Sequence, residues 1–108
     1  MKKLIGTWEI QTMDMWDEDY FNMETQAYIE VKENKTGIFQ FGLVRGYFHW
    51  KIYDFDSSKR MEFTWEGNDE MEDVFGAGWV LLKSDNEIKG EFRFHNGDDS
   101  TFKATRKK

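Results

Sequence analysis

An all-β domain, wound as an up-and-down antiparallel barrel of about eight short strands, is the fold that the sequence predicts. Three observations predict it. Apolar and polar residues alternate with period two along most of the chain, whereas an apolar stripe at helical spacing is hard to find outside one segment. Proline is absent, so no run is barred from the interior of a ladder. Ten Phe, five Trp and four Tyr are side chains that suit a pleated, half-buried surface.

The strands follow in order. Residues 6–13 place Trp8 and Ile10 on one face, and residues 26–32 place Ala27, Ile29 and Val31 together before the turn Glu33-Asn34-Lys35-Thr36-Gly37. Residues 37–43 carry Phe39, Phe41 and Leu43 on one side. After Arg45-Gly46 a fourth run aligns Phe48, Trp50 and Ile52, and Asp56-Ser57-Ser58-Lys59 ends it. Residues 60–66 read Met61, Phe63 and Trp65 inward against Glu62 and Thr64 outward, and a longer polar loop is expected over 67–75. The last three runs are 77–83, 88–95 with Ile88, Phe92 and Phe94 on one face, and 101–105 with Phe102 and Ala104 inward. Asp85-Asn86 and Asn96-Gly97 join them as hairpins. Residues 15–25 lack the alternation and are read as one or two helical turns after the first strand. Eight consecutive strands remove their exposed edges by closing; a two-sheet sandwich with the same connections is the alternative.

In such a barrel the connections after strands one, three, five and seven share one rim. Here those segments are 14–25, 44–46, 66–75 and 96–100, and they hold twelve carboxylates against the single base Arg45. The whole chain carries a net charge of −6, so the remainder is basic, with Lys2, Lys3, Arg106, Lys107 and Lys108 near the termini. Loops on a rigid scaffold are where binding usually sits, and an acidic opening attracts cations. Trp16, Tyr20, Trp65, Asp69, Glu70 and Asp99 are the candidate ligand-binding residues, for a small polar or cationic ligand. Eleven inward aromatics, Trp8, Phe39, Phe41, Phe48, Trp50, Phe63, Trp65, Trp79, Phe92, Phe94 and Phe102, leave little volume for a deep cavity, so the pocket expected is shallow and lies under the rim. The second reading is a protein-interaction module that docks a basic patch on the same rim or self-associates as a homodimer.

Several functional classes fall away. An acidic chain with scattered Lys and Arg lacks the basic face that nucleic-acid binding needs. No cysteine is present, which removes disulfides, zinc-thiolate sites and a cysteine nucleophile together and suits a reducing compartment. Thr7, Glu9 and Gln11 interrupt any apolar stretch behind Lys2-Lys3, and no window reaches the roughly 20 residues of a spanning helix. Cytoplasm is the expected location, without membrane attachment. Asp17-Glu18-Asp19-Tyr20-Phe21 lacks the third ligand and the glycine of an EF-hand loop, and His49 and His95 fall on outward strand positions without a partner in sequence. No metal or cofactor is expected. The serines lie in ordinary turn settings and no carboxylate pair stands out from the rest, so no catalytic residue is assigned.

Gly6-Thr7-Trp8 on the first strand resembles the Gly-x-Trp signature of the calycin superfamily, the lipocalins and fatty-acid-binding proteins. The resemblance implies that a basic residue of the last strand packs over this tryptophan, and Arg106 stands at that position. The Thr-Asp-x-x-Tyr segment of lipocalins is missing and the chain is shorter than typical members, so lipid transport is not implied. The segments Phe63-Thr64-Trp65-Glu66-Gly67-Asn68-Asp69-Glu70 and Gly97-Asp98-Asp99-Ser100 also resemble a group of short bacterial proteins to which no activity attaches. One domain over residues 1–108 is the expected organisation.

Overall fold

The alternating runs close on themselves. In a computed structural model that describes residues 2–55 and 58–107, eight antiparallel strands form a closed barrel in sequential order, each hydrogen-bonded to the next and the last to the first. They are β1 (Gly6–Met13), β2 (Tyr28–Val31), β3 (Thr36–Phe41), β4 (Val44–Phe55), β5 (Ser58–Asp69), β6 (Glu72–Ser84), β7 (Glu87–Phe94) and β8 (Asp99–Arg106). One helical turn, α1 (Glu18–Phe21), lies between β1 and β2, with Asp17 as its N-cap. A short 3₁₀ turn (Lys2–Leu4) precedes β1. Of the expected turn at 56–59, residues 56 and 57 lie outside the described residues, and Ser58 and Lys59 open β5.

The interior is built by one repeated device. Four inward glycines each stand directly across a strand boundary from a phenylalanine: Gly37 from Phe48, Gly46 from Phe39, Gly78 from Phe63, and Gly90 from Phe102. A Cβ at these glycines would sit 2.1 Å from the Phe48 ring, 2.3 Å from Phe39, 2.3 Å from Phe63 and 2.7 Å from Phe102. Each ring therefore lies flat across the space its partner vacates and reaches the barrel axis. There the rings meet. Phe39 of β3 and Phe92 of β7, four strands apart around a ring of eight, have centroids 4.6 Å apart, and Phe92 also contacts Phe41 at 5.0 Å and Phe102 at 4.7 Å. The buried indole N–H groups find backbone acceptors at the walls: Trp8 at Leu4 O (3.0 Å), Trp50 at Thr36 O (3.0 Å) and Trp65 at Ala77 O (3.2 Å).

The glycines also explain where the strands depart from the apolar alternation. Trp79, expected inside, faces outward, because the inward phase of β6 is carried by Gly76, Gly78 and Val80. Its indole is covered by the Arg60 guanidinium 4.3 Å from the ring and donates to Glu91 at 3.0 Å, while Glu91 also binds Arg93. The stretch 67–75 is not a loop. β5 and β6 stay paired through Glu66↔Phe75, Gly67↔Val74, Asn68↔Asp73 and Asp69↔Glu72, and only Glu70 and Met71 turn the chain, with Glu70 at a left-handed φ of 58°. Likewise Val44, Arg45 and Gly46 belong to β4. Toward the rim the inward positions include Gly46 in β4, Gly67 and Asp69 in β5 and Gly76 in β6, where the apolar alternation gives out although the strands stay paired.

At the pole where the N-terminal turn packs, Arg106 is in register with Trp8 and its guanidinium lies 4.2 Å from the indole centroid. Its three nitrogens donate to the carbonyls of Asp85, Ile5 and Lys3, so the charge is spread over backbone acceptors. Gly6 stands at φ 131°, and a Cβ there would lie 3.0 Å from the Arg106 guanidinium.

Gly46→Ala places a methyl group into the Phe39 ring, so it should destabilise the fold by about 1–3 kcal/mol. Adding Phe39→Leu should recover part of this, with a coupling of at least about 0.5 kcal/mol in a double-mutant cycle measured by urea unfolding; strict additivity would contradict the pairing.

Candidate functional site

The opposite pole is the acidic one. The connections at 14–27, 42–43, 70–71 and 95–98 meet there, as the consecutive antiparallel order requires. The long first connection crosses the opening. It is pinned where it leaves β1: the Asp14 carboxylate accepts from the Ser100 hydroxyl (2.8 Å) and the Thr101 amide (2.6 Å), and the Met15 amide donates back to Ser100 Oγ (3.2 Å). Ser100 is fully buried, the one buried polar residue among those described. These hydrogen bonds hold the Asp14 carboxyl below its ordinary value, the Ser100 bond contributing most.

Trp16 then folds over the mouth and packs on the topmost rings of the core, 5.3 Å from Phe41 and 6.2 Å from Phe94, with Tyr20 5.8 Å away on its other side. The helical turn seats on the β3–β4 turn. Gly42 (φ 57°) donates to Phe21 O at 2.9 Å, and a Cβ there would lie 2.3 Å from the Tyr20 ring, so only glycine lets the tyrosine down onto the backbone. Asn22 Oδ1 accepts from the Ala27 amide (2.8 Å) and fixes the return into β2.

Between this strap and the β5–β6 and β7–β8 turns lies an open cleft of about 670 Å³. Trp16, Tyr20, Val44, Val74 and Phe94 give its apolar lining, Asp17, Asp69 and Asp98 its carboxylates, and His95 stands at the edge; no Lys or Arg lines it. Burial pushes the Tyr20 phenol above its ordinary value, the negative charges of Asp69 and Glu70 add to this, and a long hydrogen bond from the Leu43 amide opposes it. The cleft therefore has an anionic potential at an aromatic surface. Among the described residues no three His, Asp or Glu side chains converge as a group able to hold a metal ion, and no helix is long and apolar enough to cross a membrane.

Of the residues singled out from sequence, Trp16, Tyr20 and Asp69 line the cleft. Trp65 lies beneath it in the core, 5.1 Å from Phe94 and from Phe39. Glu70 sits beside it in the β5–β6 turn, its amide bonded to Leu43 O at 3.3 Å, and acts on Tyr20 through charge. Asp99 opens β8 opposite Arg93, outside the cleft, and its neighbour Asp98 takes the lining position. Asp17, Phe94, His95 and Asp98 also line the cleft, although none of them is among the candidate ligand-binding residues read from the sequence. Asp17 carries the signal of a helix cap, and Asp98 follows the Asn96-Gly97 turn. His95, expected on a strand, lies past the end of β7 with its ring stacked on Phe75, centroids 4.6 Å apart.

Because the folded Asp14 is more acidic than the unfolded one, its contribution is complete above the ordinary carboxylate value of 3.8 and is lost as pH falls through the lowered folded value. Asp14→Asn should cost less than about 1 kcal/mol at pH 7, the carboxylate being solvent-exposed, and the gap to the parent should close in acid. Denaturant titrations across the acid range check this; a gap that widens in acid would contradict it.

Comparison with protein-family models, with curated proteins and with solved structures gives no match.

Proposed function

We propose that this protein binds a small organic cation with an apolar or aromatic body in the cleft at its acidic mouth, as a ligand-binding barrel of the calycin type. The observation that carries the ligand class is the lining: three carboxylates around Trp16, Tyr20 and Phe94, with no Lys or Arg among the lining residues. Aromatic faces attract cations by roughly 0.5–2 kcal/mol, more as water is excluded, and nearby carboxylates add a salt-dependent attraction. The calycin reading draws on Gly6, Trp8 and Arg106 at the closed pole, where the arginine covers the tryptophan. Cytoplasm is the compartment we propose, on the absence of cysteine.

An alternative is that the acidic end docks a protein or a second copy of the chain. Met15, Met23 and Met71 support it, since all three are exposed around this end, and methionine adapts to varied partners.

Choline, spermidine and tryptamine, each beside a neutral isostere, test the first reading by calorimetry and tryptophan fluorescence. At least one cation should bind, lose affinity as salt rises, and bind about fivefold or more weakly to Asp69→Asn/Asp98→Asn, a loss of about 1 kcal/mol. Equal binding of cations and isosteres, or no binding by any of them, would remove the proposal.

A further inference from the structure

The outer wall of the barrel carries a second constructed feature, outside the cleft and meeting its edge at His95. Antiparallel register places Tyr47 of β4, Glu66 of β5 and Phe75 of β6 side by side on the outside, with His95 next in the row. Tyr47 and Phe75 are 47% and 55% exposed, and what sets them apart is that they flank one groove. They wall a groove of about 400 Å³ whose lining includes His49, Thr64 and Gly76, with Glu66 between them.

Both walls are braced. His95 stacks on Phe75 at 4.6 Å and 19°, and His49 meets Tyr47 edge-on at 5.4 Å, with Tyr47 Oη 3.5 Å from His49 Nε2. Glu66, by contrast, makes no ion pair or side-chain hydrogen bond among the described residues. Neighbouring strands lie about 4.8 Å apart, so the two rings rise about 10 Å apart at their bases, leaving room for one planar group between them.

We infer that this groove is a docking site for an arginine side chain presented by a partner protein. A guanidinium is planar, stacks on aromatic faces and pairs with a carboxylate through parallel N–H donors, whereas a lysine ammonium does none of the stacking. The groove offers these complements in the right order, ring, carboxylate, ring. It lies open on the wall, so a free cation would bury little there; a polypeptide would also cover Met71, 98% exposed at the tip of the same hairpin. The acidic hairpin residues Glu70, Glu72 and Asp73 favour a basic segment around that arginine. This inference does not depend on the ligand proposed for the mouth.

Blocked hexa-arginine and hexa-lysine peptides, titrated into the ¹⁵N-labelled full chain, test it. The amides of Tyr47, His49, Glu66 and Phe75 should shift most with hexa-arginine, and hexa-lysine should bind about fivefold or more weakly. Glu66→Gln and Phe75→Ser, both at exposed positions, should each weaken hexa-arginine about fivefold, while Asp98→Asn at the mouth changes it by less than about twofold. Equal affinity for the two peptides, shifts centred on Trp16 and Asp98, indifference to Glu66→Gln, or no binding would each overturn it. So would sedimentation showing a dimer that Phe75→Ser dissociates, which would give the face to a second copy.

Discussion

Phe39 and Phe92 touch across the axis of the barrel, and the remaining architecture is arranged to permit that contact. Side chains from diametrically opposed strands meet here because the small cylinder between them is filled by inward rings, and a facing residue without a Cβ gives four of those rings their room. The glycine partners of Phe39, Phe48, Phe63 and Phe102 satisfy that condition on three strand boundaries, twice between β3 and β4. Truncating Phe92 would remove its contacts to Phe39, Phe41, Phe63 and Phe102 together, in the range of about 3–5 kcal/mol that buried phenylalanines contribute. The chain thereby resembles small barrels whose interior is core, more than those whose interior is a binding chamber.

A filled interior moves recognition to the surface, and the two poles are not equivalent. One is closed by Arg106 over Trp8, with its guanidinium spent on three carbonyls. The other is closed by Trp16, a half-buried ring resting on Phe41 and Phe94 and held by a strap that Asp14 and Ser100 fasten to β8. Trp16 is thus both the top of the core and the floor of the cleft. Carboxylates that would repel one another around this opening are separated by the loops that carry them, and their field falls on aromatic surface, where a bound cation would relieve it.

Much of this is legible in the sequence because side-chain parity in a strand is strict. The alternation at Met61, Phe63 and Trp65 sets the phase of β5, and an even, consecutive winding dictates that the acidic turns share a pole. What alternation misses is glycine. An inward Gly76 or Gly78 reads as a turn or as nothing, so Trp79 seemed the inward residue of β6 when its neighbours held that phase. Near the rim, inward Gly67 and Asp69 made a paired strand look like a polar loop. The mouth was legible in its composition and in Trp16, Tyr20 and Asp69. It was not legible residue by residue, because the choice of Asp98 over Asp99 depends on where β8 begins, and the outer row Tyr47, Glu66, Phe75 appears only once cross-strand register is known.

A long-chain fatty acid provides the most direct measurement of whether the interior is core. Titrated with palmitate and followed by calorimetry and intrinsic tryptophan fluorescence, the protein should show no stoichiometric uptake and no change in the buried indoles. One-to-one binding with quenching of Trp65, read as loss of the response in Trp65→Phe, would mean that the rings of Phe39 and Phe92 part to admit a ligand, and would contradict the packed barrel on which the surface sites rest.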